Sequence, residues 1–188
     1  MARYFKLAPL VFCLCACLLL LVIGCAKAPA DLVEAGRAQL VSDPAKALED
    51  AQAAIDKLTS EPAGAERDKM LFEARVLKFE ALGFIDTPKA MSEYAALKKD
   101  APSQMSGTVV FDAAVQLREG AVGQSTAVAL LDQALKDYPA SKDKLDALLE
   151  SIKANPNAAG KDMLKSLGYI GGKKDAKAKE KTEEKPKE

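Results

Sequence analysis

"AMSEYAALKKDAP" at residues 90–102 and "AVALLDQALKDYP" at residues 127–139 carry the same spacing of apolar residues and proline. In each stretch an alanine is followed after 4, 3 and 5 residues by a large apolar residue, a second apolar residue and a proline. The matching residues are Ala90, Tyr94, Leu97 and Pro102 in the first stretch, and Ala127, Leu131, Ala134 and Pro139 in the second. Residues three or four apart share one face of an α-helix, and proline ends a helix because it lacks the backbone donor. The spacing therefore predicts two amphipathic helices, each followed by a reversal of the chain.

The composition extends this prediction to the rest of the chain. Aromatic residues make up only 5% of the 188 residues, while alanine, leucine, lysine and glutamate, which favour helices, are abundant. A degenerate third copy of the pattern, with Ala47, Ala51 and Ala54, precedes the other two. We therefore expect an all-α fold.

The repeated spacing resembles the second helix of a tetratricopeptide repeat. This resemblance implies a first helix upstream of each copy, and residues 68–84 and 107–122 are apolar on more than one side, as an inner helix would be. It further implies that residues 31–171 form a right-handed stack of helical hairpins with about eight helices.

Local signals predict where several helices begin and end. A capping side chain precedes a proline at Asp43-Pro44 and at Thr87-Pro88, which predicts two helix starts. Ser141 is the predicted cap of a later helix. Gly168 is predicted to end the last helix in a left-handed conformation, with residues 169–170 folding back over its final turn.

The N-terminal segment has the pattern of a secretory signal, because two basic residues precede a long apolar run within residues 1–24. The sequence VIGC at residues 22–25 resembles the lipobox of bacterial lipoproteins, which implies that Cys25 is lipidated and becomes the mature N-terminus. Several acyl chains on one cysteine would anchor the protein stably. The alternative is an uncleaved transmembrane helix, because residues 7–24 are 18 residues long and a bilayer core is roughly 30 Å thick.

The residues around the predicted helical domain complete its organisation. The resemblance to bacterial lipoproteins also implies a location. Because alanine rather than aspartate follows the lipidated cysteine, the protein is expected at the outer membrane, on its periplasmic face, rather than at the inner membrane. Residues 25–30 form the lipidated N-terminus and a short spacer. Residues 172–188 form a tail of mixed charge, which we expect to be disordered because residues 173–188 offer nothing apolar larger than alanine.

Several classes of function are disfavoured by composition. Histidine is absent, which removes the commonest general base and the commonest zinc ligand. The four cysteines, Cys13, Cys15, Cys17 and Cys25, all lie in or at the end of the apolar segment. The 27 basic residues balance the 27 acidic residues, so the net charge gives no reason to expect nucleic-acid binding. We expect neither an enzyme nor a bound metal or cofactor.

The predicted function is that of a membrane-anchored periplasmic scaffold or adaptor that binds another protein through a helical-repeat groove, for example during assembly of an envelope complex. The alternative is a mechanical tether between the outer membrane and the cell wall without a specific protein client. Candidate groove residues are the polar residues of the predicted first helices: Glu73, Arg75, Lys78, Glu80, Asp112, Gln116, Arg118 and Glu119.

Overall fold

A computed structural model describes residues 27–171 of the chain. These residues form an all-α fold, and no strand occurs among them. The predicted signal peptide, Cys25 and the tail at 172–188 lie outside the described residues.

Eight α-helices make up the described domain. They are α1 (Pro29–Gln39), α2 (Pro44–Ser60), α3 (Ala65–Ile85), α4 (Thr87–Asp100), α5 (Gly107–Leu117), α6 (Ala121–Asp137), α7 (Lys142–Ala154) and α8 (Ala158–Ser166). A short 3-10 turn, Pro139–Ser141, precedes α7. Helices α1 and α2, α3 and α4, and α5 and α6 pack as consecutive pairs, whereas α8 packs on α6 instead of pairing with α7.

The repeated sequence pattern marks the buried face of the second helices. All of its apolar members in α2, α4 and α6 are no more than 2% exposed. Helices α4 and α6 each end two residues before the proline of the pattern, at Asp100 and Asp137. The amides of the next residues, Ala101 and Tyr138, donate to the carbonyls of Leu97 and Ala134. The two copies therefore have the same local structure at their C-terminal ends.

Helix α3 is shared by two hydrophobic clusters. Ala74, Leu77 and Ala81 pack in the cluster formed with α1 and α2. Val76 and Phe79 pack in the cluster that extends to α8. Because successive residues of a helix rotate by about 100°, these two sets face different directions. This explains why α3 is apolar on more than one side, as the sequence predicted.

The cap predicted at Asp43 is confirmed, but the one predicted at Thr87 is wrong by one residue. The Asp43 carboxylate accepts a hydrogen bond of 3.0 Å from the Lys46 amide. At α4 the capping carboxylate belongs to Asp86, which accepts from the Lys89 amide at 3.1 Å. The Thr87 hydroxyl lies 2.6 Å from the hydroxyl of Thr126 on α6, so this side chain serves tertiary packing instead.

The structure of the described residues confirms the cap predicted at Gly168 but shows no side-chain cap at Ser141. Gly168 has a φ of +78°, and the Tyr169 amide donates to the Leu164 carbonyl at 2.9 Å, which confirms the left-handed cap. Ser141 does precede α7, but its side chain accepts no capping hydrogen bond from the described residues, because Ser141 belongs to the 3-10 turn and its backbone is not extended.

The helix predicted at 107–122 is interrupted. Helix α5 ends at Leu117, and residues 118–120 form a turn before α6 begins. A Cβ atom on Gly123 would lie 2.2 Å from the Leu117 carbonyl oxygen, so the chain reverses here by a close backbone approach that only glycine permits. Arg118 and Glu119, predicted on a first helix, therefore lie in a turn.

Candidate functional site

Helix α3 separates two concave surfaces. Lys78, Leu82 and Ile85 lie on one side of it, and Glu80 lies about 200° around the helix from Lys78. We call the surface on the first side the outer groove: it lies between α2 and α4, with α3 as its floor. We call the surface on the other side the inner cavity: it is bounded by α1, α3 and α5.

The outer groove has a volume of about 860 Å³. It exists because α2 and α4 both pack on α3 but make no contact with each other. Its apolar lining includes Leu48, Leu82 and Ile85, and Ile85 is 44% exposed. The full lining comprises Ala45, Leu48, Glu49, Gln52, Ala53, Asp56, Lys78, Leu82, Ile85, Lys89, Ser92 and Glu93.

The charged groups of the outer groove are mostly paired within the protein. The Lys78 ammonium lies 3.3 Å from the Glu93 carboxylate, which also accepts a hydrogen bond of 3.1 Å from Arg75. Lys89 pairs with Asp86 at 3.0 Å on the other rim. These pairs leave the apolar floor as the main surface for contact with another molecule.

The inner cavity is smaller and polar. Its volume is about 190 Å³, and its lining comprises Arg37, Leu40, Glu80, Asp112 and Gln116. Glu80 is only 9% exposed, whereas Arg37, Asp112 and Gln116 are exposed. The cavity therefore has a buried carboxylate at its base and polar groups around its opening.

Glu80 has an unusual electrostatic environment. Burial raises the pKa of its carboxyl to about 7, and the charge of Asp112 acts in the same direction. The positive charge of Arg37 opposes this rise in pKa, but its guanidinium is too distant to form an ion pair with Glu80. No residue among 27–171 donates a hydrogen bond to the Glu80 carboxylate, whose oxygens keep some contact with solvent at the cavity.

The structure brings only some of the eight predicted groove residues together. Glu80, Asp112 and Gln116 meet in the inner cavity. Lys78 lines the outer groove, and Arg75 forms ion pairs with α4 beside it. Arg118 and Glu119 border a separate cavity of about 230 Å³ near α7, while Glu73 is half-buried on α3 and lines neither the outer groove nor the inner cavity.

Residues on helices outside the predicted set complete both surfaces. The apolar walls of the outer groove come from α2 and α4, the second helices of their pairs, rather than from first helices. Arg37 of α1 and Leu40, which directly follows α1, close the inner cavity. No local signal in the sequence marked α1 as the partner of α3 and α5.

Other kinds of site find little support in the described part of the chain. No group of three or more potential metal ligands occurs within residues 27–171. Across the same residues, no helix combines the length and the apolar character needed to cross a bilayer. No protein-family model, curated protein or solved structure matches the chain.

Proposed function

We propose that this protein is a lipid-anchored scaffold that holds another protein in its outer groove. The observation that carries the proposal is the groove itself, which has a volume of about 860 Å³ and a lining whose apolar residues are open to contact. Most of its charged groups are paired within the protein. We propose a binding role without catalysis, since the chain contains no histidine.

The dimensions of the outer groove suit a short helix or an extended segment of a partner. Helix α2 lines the outer groove from Ala45 to Asp56, so this wall runs for about 17 Å at about 1.5 Å per residue. A partner helix that presents an apolar stripe along this length would cover Leu82 and Ile85. Amphipathic helices commonly bind grooves in this way.

The proposed anchor is a lipid on Cys25, at the periplasmic face of the outer membrane of a bacterium. Helix α1 begins at Pro29, and the Lys57 ammonium of α2 donates a hydrogen bond to the Lys27 carbonyl. Only Ala26 separates Cys25 from the first described residue. A lipid on Cys25 would therefore hold α1 and α2 near the bilayer surface.

The groove is tested by Ile85→Lys in the full chain. Burying an isoleucine against a partner contributes about 1.5–3 kcal/mol, so its loss should weaken capture at least about tenfold. Capture is measured by crosslinking in the native envelope, followed by quantification of the recovered protein. Leu167→Lys is the matched control, because Leu167 is 57% exposed and lies outside the groove.

Two results would contradict this proposal. Equal capture by both variants would show that the outer groove does not hold the partner. Recovery of peptidoglycan alone would favour a mechanical tether. The anchor is tested separately, because Cys25→Ser should abolish labelling by a fatty-acid analogue, and persistent labelling would refute the lipid attachment.

A further inference from the structure

Glu80 differs from the other well-buried carboxylates of the described residues. Asp50 is 5% exposed, and its Oδ1 atom lies 3.6 Å from the Lys46 ammonium, although its Oδ2 atom is buried without a hydrogen-bond partner in the described part of the chain. The Asp137 carboxylate accepts hydrogen bonds from Tyr94 and from Lys98, both at 2.8 Å. Glu80 is nine-tenths buried and has no such partner among residues 27–171, although it lines a cavity that opens to solvent.

An ionised carboxylate removed from water is costly unless a cation or several donors compensate it. Two charges in the inner cavity act on Glu80: Arg37 favours its ionised form, and Asp112 disfavours it with a smaller effect. Arg37 forms no ion pair with Glu80 and does not outweigh the cost of burial. The group that would complete the cavity is therefore a cation that enters from outside.

We propose that the inner cavity binds a cationic side chain, a lysine ammonium or an arginine guanidinium, presented by a partner polypeptide. This inference rests on the proposed scaffold function and adds a second contact to it, on the opposite side of α3 from the outer groove. Glu80 forms the buried ion pair, and Asp112 and Gln116 accept further hydrogen bonds at the opening. An ammonium has three donors and can satisfy all three acceptors.

The size of the cavity argues for one side chain rather than a larger ligand. Pockets for drug-sized molecules have about 300–1,000 Å³, whereas the inner cavity has about 190 Å³. Two carboxylates exclude an anion. A calcium ion takes about six to eight oxygen ligands, and two carboxylates and one amide beside an arginine are a poor set for it.

The test follows the Glu80 carboxyl group by nuclear magnetic resonance in the full chain with labelled glutamate. The probes are lysine and arginine with both backbone ends blocked, and equally blocked norleucine is the uncharged control. A bound cation favours the ionised carboxylate, so we expect saturating lysine or arginine to lower the pKa of Glu80 by at least about one unit. Norleucine should leave this pKa unchanged, and the blocked amino acid with the lower dissociation constant identifies the preferred cation.

A matched pair of variants separates this site from general charge effects. Glu80→Gln should weaken binding of the blocked lysine at least about tenfold, measured by the amide shifts of α1 and α5. Glu73→Gln should retain binding, because Glu73 lies on the same helix outside the cavity. Equal shifts with lysine and norleucine, or equal binding by the two variants, would overturn the inference.

Two further arms distinguish other occupants of the inner cavity. The chain's own lysines at 173–188 are tested by changing all seven to glutamine in the full chain. A rise in the pKa of Glu80 in that variant without added probe would show that the tail fills the cavity and would overturn a partner's role. A response to calcium chloride without a response to lysine would also overturn it.

Failure of this inference is distinguishable from failure of the proposed function. If the blocked amino acids do not bind but capture still depends on Ile85, the cation site is wrong and the scaffold remains supported. If the amino acids bind but Ile85→Lys has no effect on capture, the inner cavity is a site and the outer groove is not.

Discussion

The outer groove and the inner cavity lie on opposite sides of α3, and they differ in how their charges are paired. In the outer groove Lys78 and Arg75 share the carboxylate of Glu93, so the charges are satisfied within the protein. In the inner cavity Glu80 is buried without a partner among the described residues. The number of charged residues on a surface therefore does not indicate which ligand it binds. A charge that the fold leaves unpaired is the better indication.

The largest expected effect comes from the pH dependence of Glu80. Its pKa of about 7 in the folded protein exceeds its ordinary value of 4.5, so the folded state holds more protons than the unfolded state between these pH values. The free energy of unfolding therefore falls as the pH rises from 4.5 to 7, by on the order of 3 kcal/mol. Arg37 and Asp112 are the charged groups that face Glu80 across the cavity.

Glu80→Gln should remove this fall, because glutamine does not ionise. The measurement is urea denaturation at several pH values between 4 and 8, for the wild type and the variant. Glu73→Gln provides the control and should keep the slope of the wild type. If the wild type and Glu80→Gln had the same pH dependence, the inner cavity would not contain a destabilised carboxylate, and its contrast with the outer groove would disappear.

A smaller effect is expected from Gly36→Ala, which tests whether the two surfaces can be separated. A Cβ atom on Gly36 would lie 2.7 Å from Leu77 Cδ2 and 3.3 Å from the Ala47 carbonyl oxygen. Either the Leu77 side chain must change its rotamer within the core or α1 must move away from α3, at a net cost of about 1–2 kcal/mol in the free energy of unfolding. Leu77 is fully buried, so we expect α1 to move and to shift Arg37 and the adjoining Leu40, which should weaken lysine binding while capture through the outer groove persists.

The sign of the change in the free energy of unfolding distinguishes a tertiary clash at Gly36→Ala from a purely local effect on the helix. Alanine favours a helix by about 1 kcal/mol over glycine, so a purely local effect of Gly36→Ala would stabilise the protein. Urea denaturation that showed an increase in stability would mean that the Leu77 side chain accommodates the methyl group and that α1 stays in place. Lysine binding should then be unchanged.

The fold was predictable where local chemistry determines it. The spacing of Ala127, Leu131 and Ala134 identified a buried face, and the prolines after α4 and α6 marked reversals of the chain. Predictions from local sequence patterns were wrong where tertiary contacts determine the role of a side chain. Thr87 was predicted as a cap because it precedes a proline, but its hydroxyl is engaged with Thr126 on another helix.

The candidate sites were predictable only in part, for the same reason. Sequence periodicity could place Glu80 and Asp112 on first helices, but it could not show that Arg37 of α1 would join them. It also could not show that Arg75 and Lys78 would both pair with Glu93, because that partner comes from another helix. Pairing of charges is a tertiary property, and pairing is what distinguishes the two surfaces.

The smallest expected effect concerns those ion pairs. Glu93→Gln should lower the free energy of unfolding by only about 1 kcal/mol, since partly exposed ion pairs contribute about 0–1 kcal/mol each. Asp100→Asn is the control and should have even less effect, because Asp100 is 52% exposed and contacts only Arg75 among the described cations. Both values follow from urea denaturation at moderate salt.

The same pair of variants asks whether the outer groove binds through its apolar floor. Glu93→Gln leaves Lys78 and Arg75 with excess positive charge beside the groove. If the partner contacts mainly Leu82 and Ile85, capture should change less than about twofold. A gain of tenfold would mean that the partner is acidic and that Glu93 normally masks a cationic site. The outer groove would then resemble the inner cavity with its charges reversed, since both would select a ligand by an uncompensated charge.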